Sequence, residues 1–225
     1  MVEYGMSVED LLDGEETGRA WAVRCVAALG LDGIAVSLRD GLELVWYSDD
    51  TSAWLDDIQF VLGEGPGASV DPADAPLQVA DLDAHLGPAA LRWPRFTAEA
   101  RTAGVRAVFV WPLGTEGLRF GTFSGYRATP GSLTPRQAAD GHLVAEAMAL
   151  RILAWRPDNE SSFDEPRTAG TIGLHRAEVH QAVGALSYQL GVPLEEARAH
   201  LRAQALASAA SLPETARAVL RELRT

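Results

Sequence analysis

Ala107-Val108-Phe109-Val110-Trp111-Pro112-Leu113 is the stretch on which the fold turns. It is a continuous run of apolar, β-prone residues, which predicts a central strand buried on both faces. Gly114-Thr115-Glu116-Gly117 then turns the chain into Leu118-Arg119-Phe120-Gly121-Thr122-Phe123-Ser124-Gly125-Tyr126. This second stretch alternates apolar with polar residues, which predicts a strand with one face in solvent.

Outward from this pair the pattern stays mixed. Downstream, Thr134-Pro135-Arg136-Gln137 carries the devices of a helix start: a capping hydroxyl, a proline in the first turn and a glutamine completing a capping box. That helix is predicted to run to about Trp155. Upstream, residues 33–38 and 42–47 read as strands, and Arg39-Asp40-Gly41 between them carries the Asp-Gly hairpin signal. A helix over residues 8–29, ended by Gly30, precedes them. A short helix is predicted over 52–60, a glycine-rich turn over 63–67, a strand over 77–79 and a helix over 96–103, stopped by Gly104. The order predicts an α+β fold, a mixed, mostly antiparallel sheet flanked by helices.

A boundary follows. Residues 156–166 are polar, carry Pro157 and Pro166 and lack periodicity, so they read as a linker between domains at 1–155 and 167–225. Beyond it the pattern is wholly helical. Val179, Val183, Leu186 and Leu190 recur at helical spacing, and Gly191 and Pro193 separate them from Leu194, Ala197, Leu201 and Ala205. Ser211-Leu212-Pro213-Glu214 is another capping box, opening a helix striped by Ala216, Val219, Leu220 and Leu223. Three short amphipathic helices form a small C-terminal domain. About sixty such residues are marginal alone, so packing against the preceding helix or a second chain is expected.

Charge follows the same division. The chain has 225 residues, with 31 acids against 19 cations, all arginine, and a net charge of −12. Residues 1–165 hold 12 arginines and 26 acids, whereas 166–225 hold 7 and 5, so the tail is slightly basic at +2. An acidic chain is at first sight a poor nucleic-acid binder, and the division confines that objection to the first domain. No apolar run approaches the ~18 residues of a membrane span. The first thirteen residues carry acids and no basic region, unlike a signal peptide, so a cytoplasmic location is expected, where the sequon at Asn159 would go unused.

The residues that carry chemistry are few. Cys25 stands alone, which excludes an internal disulfide and a Cys-rich zinc site; it reads as a small buried hydrophobe. The histidines are His85, His142, His175, His180 and His200, and none has the i,i+4 partner of a helical metal pair, so no metal is expected. No nucleophile elbow is present, and no catalytic residue or cofactor is expected. Gly63-Glu64-Gly65-Pro66-Gly67-Ala68-Ser69 superficially resembles a phosphate loop, but it lacks the Gly-Lys-Ser/Thr ending and Pro66 removes a backbone donor. It reads as a tight turn able to line a pocket. The acid pairs Asp49-Asp50 and Asp56-Asp57 read as solvated surface. Trp46, Trp93 and Trp111 are either core or the walls of a ligand cavity closed by Arg92 or Arg106 around an acidic small molecule.

Two sets of motifs carry a resemblance. Ile58-Gln59-Phe60-Val61-Leu62-Gly63-Glu64-Gly65-Pro66, Val79-Ala80-Asp81-Leu82, Arg92-Trp93-Pro94, Gly104-Val105-Arg106-Ala107-Val108-Phe109 and Trp111-Pro112-Leu113 come in the order found in GAF sensor domains of actinobacterial regulators, which this region resembles. Arg176-Ala177-Glu178-Val179-His180-Gln181-Ala182-Val183-Gly184, Gln189-Leu190-Gly191-Val192, Glu195-Glu196-Ala197 and Leu201-Arg202-Ala203-Gln204-Ala205 are similar to an ANTAR domain. The resemblance implies a GAF-like sheet with a ligand cavity, a helical connector and a three-helix output that binds RNA hairpins in nascent transcripts as a homodimer, preventing a terminator from forming. The chain departs from the pattern at Val183, where ANTAR domains carry Lys or Thr, at Leu186 for Met, at Pro193 for a polar residue and at Gly67 for a cysteine of related GAF domains.

On this resemblance Arg176, Gln181, Arg198 and Arg202 are the candidate RNA-binding residues. Arg198 and Arg202 are four apart and share a helix face, and arginine suits phosphate and loop bases. They also fit a solvated face paired with Glu195, and Gln181 fits plain polar surface. The implied function is a signal-responsive, RNA-binding antitermination regulator. The alternative is a dimeric sensor or protein-interaction module whose tail has lost RNA binding.

Overall fold

The computed structural model describes residues 19–38, 43–70, 76–83, 87–115, 118–154, 176–208, 210 and 212–222. The chain divides into two compact units, Met1–Gly173 and Leu174–Thr225. The expected linker at 156–166, the Asp40-Gly41 turn, the helix start before residue 19, His85, His175, Ser211 and Leu223 lie outside the described residues.

The first unit contains α1 (Arg19–Leu29), β1 (Gly33–Leu38), β2 (Glu43–Tyr47), α2 (Asp50–Leu62), α3 (Pro66–Ser69), β3 (Leu77–Val79), α4 (Pro88–Arg92), α5 (Pro94–Thr102), β4 (Ala107–Thr115), β5 (Leu118–Arg127) and α6 (Pro135–Ala154). The five strands form one sheet in the order β2-β1-β5-β4-β3. Every pairing is antiparallel, so the sheet is not mixed as expected. This is otherwise the α+β architecture that the sequence predicts. The third-in-line strand is β5, and β4 lies one place from the edge.

The reading of β4 as doubly buried holds, and the reason is its two partners. Phe109, Trp111 and Leu113 pack into a core with Cys25 and Leu29 of α1 and Val144, Ala145 and Met148 of α6. Val108 and Val110 point the other way, into a second core with Leu55 of α2 and Phe96 and Ala100 of α5. A strand covered on both faces needs apolar residues at both parities. The Trp111 and Phe123 rings lie 5.4 Å apart at 46°, and the indole N–H donates to the Ala138 carbonyl at 3.2 Å. The α6 start is as predicted: the Gln137 N–H donates to Thr134 Oγ1 at 3.2 Å and the Thr134 N–H to Gln137 Oε1 at 3.0 Å.

The expected exposed face of β5 is a correction. None of its residues from Phe120 to Arg127 is exposed. The alternation is real, but its polar parity is roofed by α2, and hydrogen bonds inside the protein replace water.

The second unit consists of α7 (Ala177–Leu190), α8 (Leu194–Ser208) and α9 (Leu212–Glu222). Val179, Val183, Leu186, Ala197, Leu201, Ala205, Ala216 and Val219 are buried as the periodicity predicts. Leu190 and Leu194 are not: both flank the turn at Gly191, which lies in the left-handed region at φ 66°. Across the bundle, Arg217 of α9 donates to Glu178 of α7 at 2.9 Å.

Candidate functional site: the polar face of the sheet

The site is built on α2. Asp49 caps it: its carboxylate accepts the Ser52 N–H at 3.0 Å, and the Ser52 hydroxyl completes the box by accepting the Asp49 N–H. The helix runs to Leu62, two residues beyond the expected end, and Gly63 closes it at φ 67°. Ser52, Leu55, Asp56, Gln59 and Phe60 are the buried residues, at helical spacing. Three of the five are polar, an unusual composition for a face pressed against a sheet.

The strands answer with polar groups of their own. Ser37 of β1 sits in register with Thr122 of β5. The Ser37 hydroxyl donates to Asp56 Oδ1 at 2.9 Å, and its oxygen lies 3.1 Å from Thr122 Oγ1. Ser37 has spent its one proton on the carboxylate, so Thr122 is the donor between them. Asp56 is therefore an interior group and not solvated surface, correcting the reading of the Asp56-Asp57 pair. Asp49 is likewise structural. Adjacent acids point roughly a hundred degrees apart on a helix, so a pair cannot be read as one surface.

Beside this chain of hydroxyls is a small recess of about 10 Å³, the room of about one water, open at its mouth to solvent. Its walls are Ser52, Leu55 and Gln59 of α2, Phe96 of α5, Val108 of β4, and Ser124, Gly125 and Tyr126 of β5. The Tyr126 hydroxyl donates to Asp49 Oδ1 at 3.1 Å. Burial, then the neighbouring Asp49 carboxylate, pushes its pKa up to about 12, so the proton stays on. Gly33 makes this pairing possible, because a Cβ there would overlap both the Asp49 carboxylate and the Tyr126 ring.

The glycine-rich segment forms a wall of the same region. Gln59 Oε1 accepts the Gly67 N–H at 2.7 Å. Glu64 Oε1 accepts the Phe96 N–H at 2.8 Å in the first turn of α5, a favourable place for a carboxylate. Trp93 Nε1 donates to Ser69 Oγ at 2.8 Å. This stretch contains the short helix α3 as well as the expected turn.

The structure separates the four expected pocket residues. Trp46 and Trp111 belong to the core with α1 and α6. Trp93 belongs to the core on the other side, and its cation partner is Arg92, 4.9 Å above the ring. Arg106 bonds Asp83 at 2.8 Å, near Asp81. None of the four lines the recess. The missed residues, Ser52, Gln59, Ser124 and Tyr126, did leave a signal: polar side chains at the inner parity of a strand and on the inner stripe of a helix.

Among the tail candidates, Gln181 is exposed on α7 and Arg176 is buried at its N-cap. Arg198 pairs with Glu195 at 2.9 Å. Arg202 is half-buried; burial, then the nearby Arg198 and Arg176, lower its pKa. Three of the four candidates therefore share one electrostatic neighbourhood. Among the described residues no group of three His, Cys, Asp or Glu side chains could hold a metal, and no helix is long and apolar enough to cross a membrane.

No protein-family model matches the chain. No curated protein matches it either. Solved structures do. A domain of a putative two-component sensor histidine kinase from Sinorhizobium meliloti is similar at 20% identity and TM-score 0.45, over 59% of this chain and 86% of that one. The GAF domain of a phosphoenolpyruvate-protein phosphotransferase from Coxiella burnetii is similar at 17% identity and TM-score 0.45, over 68% and 96%. The chromophore-binding domain of a Stigmatella aurantiaca bacteriophytochrome is similar at 13% identity and TM-score 0.43, over 66% and 58%.

Proposed function

We propose that this protein is a signal-responsive regulator whose GAF-like first unit takes up a small molecule and whose ANTAR-like three-helix unit binds RNA hairpins, acting as a cytoplasmic antitermination factor. Its mode is binding, not catalysis. The sensing half is supported by the polar interior between α2 and the sheet. A fold stabilised only by burial would place apolar residues there, as it does on the opposite face.

The output half is supported by one observation, the gathering of Arg176, Arg198 and Arg202. Arg198 and Arg202 stand close enough for each to disfavour the other's charge, and Glu195 on the same helix offsets part of it. Arg176, at the N-cap of α7, is buried, so Arg198 and Arg202 carry this reading. RNA phosphates are the kind of group that two arginines on one helix face would recognise. The test is an electrophoretic shift with a two-hairpin RNA, with and without about 0.3 M added salt. Wild type should bind and weaken with salt, and the Arg198→Ala/Arg202→Ala variant should bind at least tenfold more weakly. Equal binding by both would remove these residues from the interface.

A second reading is favoured by Tyr188, exposed at 91%, together with exposed Leu190 and Leu194 at the α7–α8 turn. Here the tail docks on a protein, and a homodimer is the simplest case. Light scattering on the full chain and on a Tyr188→Ser/Leu194→Ser variant separates the readings. A mass halved in the variant supports the protein interface, and an unchanged mass counts against it.

A further inference from the structure

The exposed apolar side chains of the first unit gather on one layer. α1 and α6 cover the same face of the sheet, where Cys25 and Leu29 of one and Val144, Ala145 and Met148 of the other fill a common core. Val23 of α1 and Leu143, Leu150 and Leu153 of α6 lie on the opposite side of their helices and are between 41% and 60% exposed. Such a group is a patch, unlike the single exposures normal on a surface. In α6 it also has a period. Arg136, Ala139, Leu143, Glu146, Leu150 and Leu153 are all exposed, and they follow at steps of 3, 4, 3, 4 and 3. That is the spacing of a coiled-coil seam. α6 therefore has two packing faces, and the sheet covers one.

Charge indicates what covers the other. Residues 1–165 hold 12 arginines and 26 acids, so most of this unit repels a copy of itself. The α1–α6 layer differs: α1 has two arginines and no acid, and α6 balances Arg136 and Arg151 against Asp140 and Glu146. The seam is moreover complementary to itself. Laid antiparallel on a second α6, with Leu143 opposite Glu146 of the second copy, it sets Ala139 against Leu150, small against large. Arg136 then lays its aliphatic stem over Leu153. Each Glu146 stands between two imidazoles, its own His142 at 3.4 Å and that of the second copy. Parallel pairing would instead stack Glu146 on Glu146, like charge on like charge.

We infer that the first unit binds a second copy of this chain through an antiparallel α6–α6 seam, with Val23 of α1 beside it. The inference is independent of RNA binding by the tail, and it places the dimer contact on α6 and not at Tyr188 and Leu194.

The test is sedimentation velocity on the full chain over a concentration series. Wild type should be a dimer. Leu150→Ser should weaken association roughly tenfold or more with tryptophan emission unchanged, because the residue is exposed in the single chain. Leu143→Ser serves as a second variant should the first fail to fold. Tyr188→Ser/Leu194→Ser should remain a dimer. A short thiol crosslinker should join copies of an Ala139→Cys/Leu150→Cys variant and leave Leu153→Cys alone unjoined, since antiparallel helices hold the two 153 positions about 25 Å apart. The native Cys25 is buried and takes no part. A wild-type monomer at every concentration overturns the inference. So does a dimer that survives Leu150→Ser and Leu143→Ser, whether or not the tail variant splits it. Crosslinking through Leu153→Cys overturns the antiparallel arrangement.

Discussion

Replacing Gly141 with alanine should destabilise the first unit, although the same change in an exposed helix stabilises by about 1 kcal/mol. Gly141 lies inside α6, directly over Trp111. A Cβ there would overlap Cζ2 and Cε2 of the indole and come within 2.8 Å of its Nε1. Trp111 is fully buried and packed against Phe123, so the ring has nowhere to go without moving β4 or α6. Overpacking of this kind costs roughly 1–3 kcal/mol. Loss of the indole bond to Ala138 adds about 1 kcal/mol. With the helix-propensity gain subtracted, the net loss is about 1–3 kcal/mol. For a unit of this size that lowers Tm by roughly 2–12 °C. All six tryptophans lie within the first 155 residues, so fluorescence excited at 295 nm reports on this unit. Gly141→Ala and Trp111→Phe should couple: the double variant should lose less than the two singles combined, by about 0.5–3 kcal/mol. A Gly141→Ala protein melting at or above the wild-type temperature, with additive singles, would refute the close approach of α6 to the sheet.

Other perturbations read other parts of the structure. Burial pushes the Cys25 thiol up from 9.0 to about 12, so in the native protein it should resist iodoacetamide at pH 8.5 and react at once in denaturant. Cys25 and Tyr126 both have raised pKa values, so the unfolded chain releases protons first as pH rises. Their contribution to stability is full below pH 9 and declines from there towards 12, and Tyr126→Phe should flatten the upper part of that decline. Removing the α2 cap by Asp49→Ala should cost about 1 kcal/mol through the helix end. It should also lower the Tyr126 pKa by removing its carboxylate neighbour, measurable by ultraviolet titration against wild type. Gln59→Ala should free the Gly67 amide, raising its hydrogen-exchange rate at least tenfold while exchange in β4 stays unchanged.

Much of this molecule was legible in its residues taken in order. The β4 run, the capping box at Thr134, the strands at 33–38 and 77–79 and the three-helix tail all come from local pattern: periodicity, caps and turn residues act within a few positions of one another. The division of charge between the two units is also written in the sequence alone.

Only the tertiary structure decided which polar residues are interior. Asp56 and Ser37 lie nineteen positions apart, and Ser37 and Thr122 eighty-five, so neither bond has a local signature. The alternation in β5 reports that its two faces differ; it cannot report whether the polar face meets water or a helix bearing serine, aspartate and glutamine. The tryptophans show the converse. Their size marks them as buried, but which side of the sheet each occupies depends on register, and register placed Trp46 and Trp111 away from the recess. Local chemistry determined the elements, and long-range pairing determined the site, because a cavity belongs to residues that meet only after the sheet has closed.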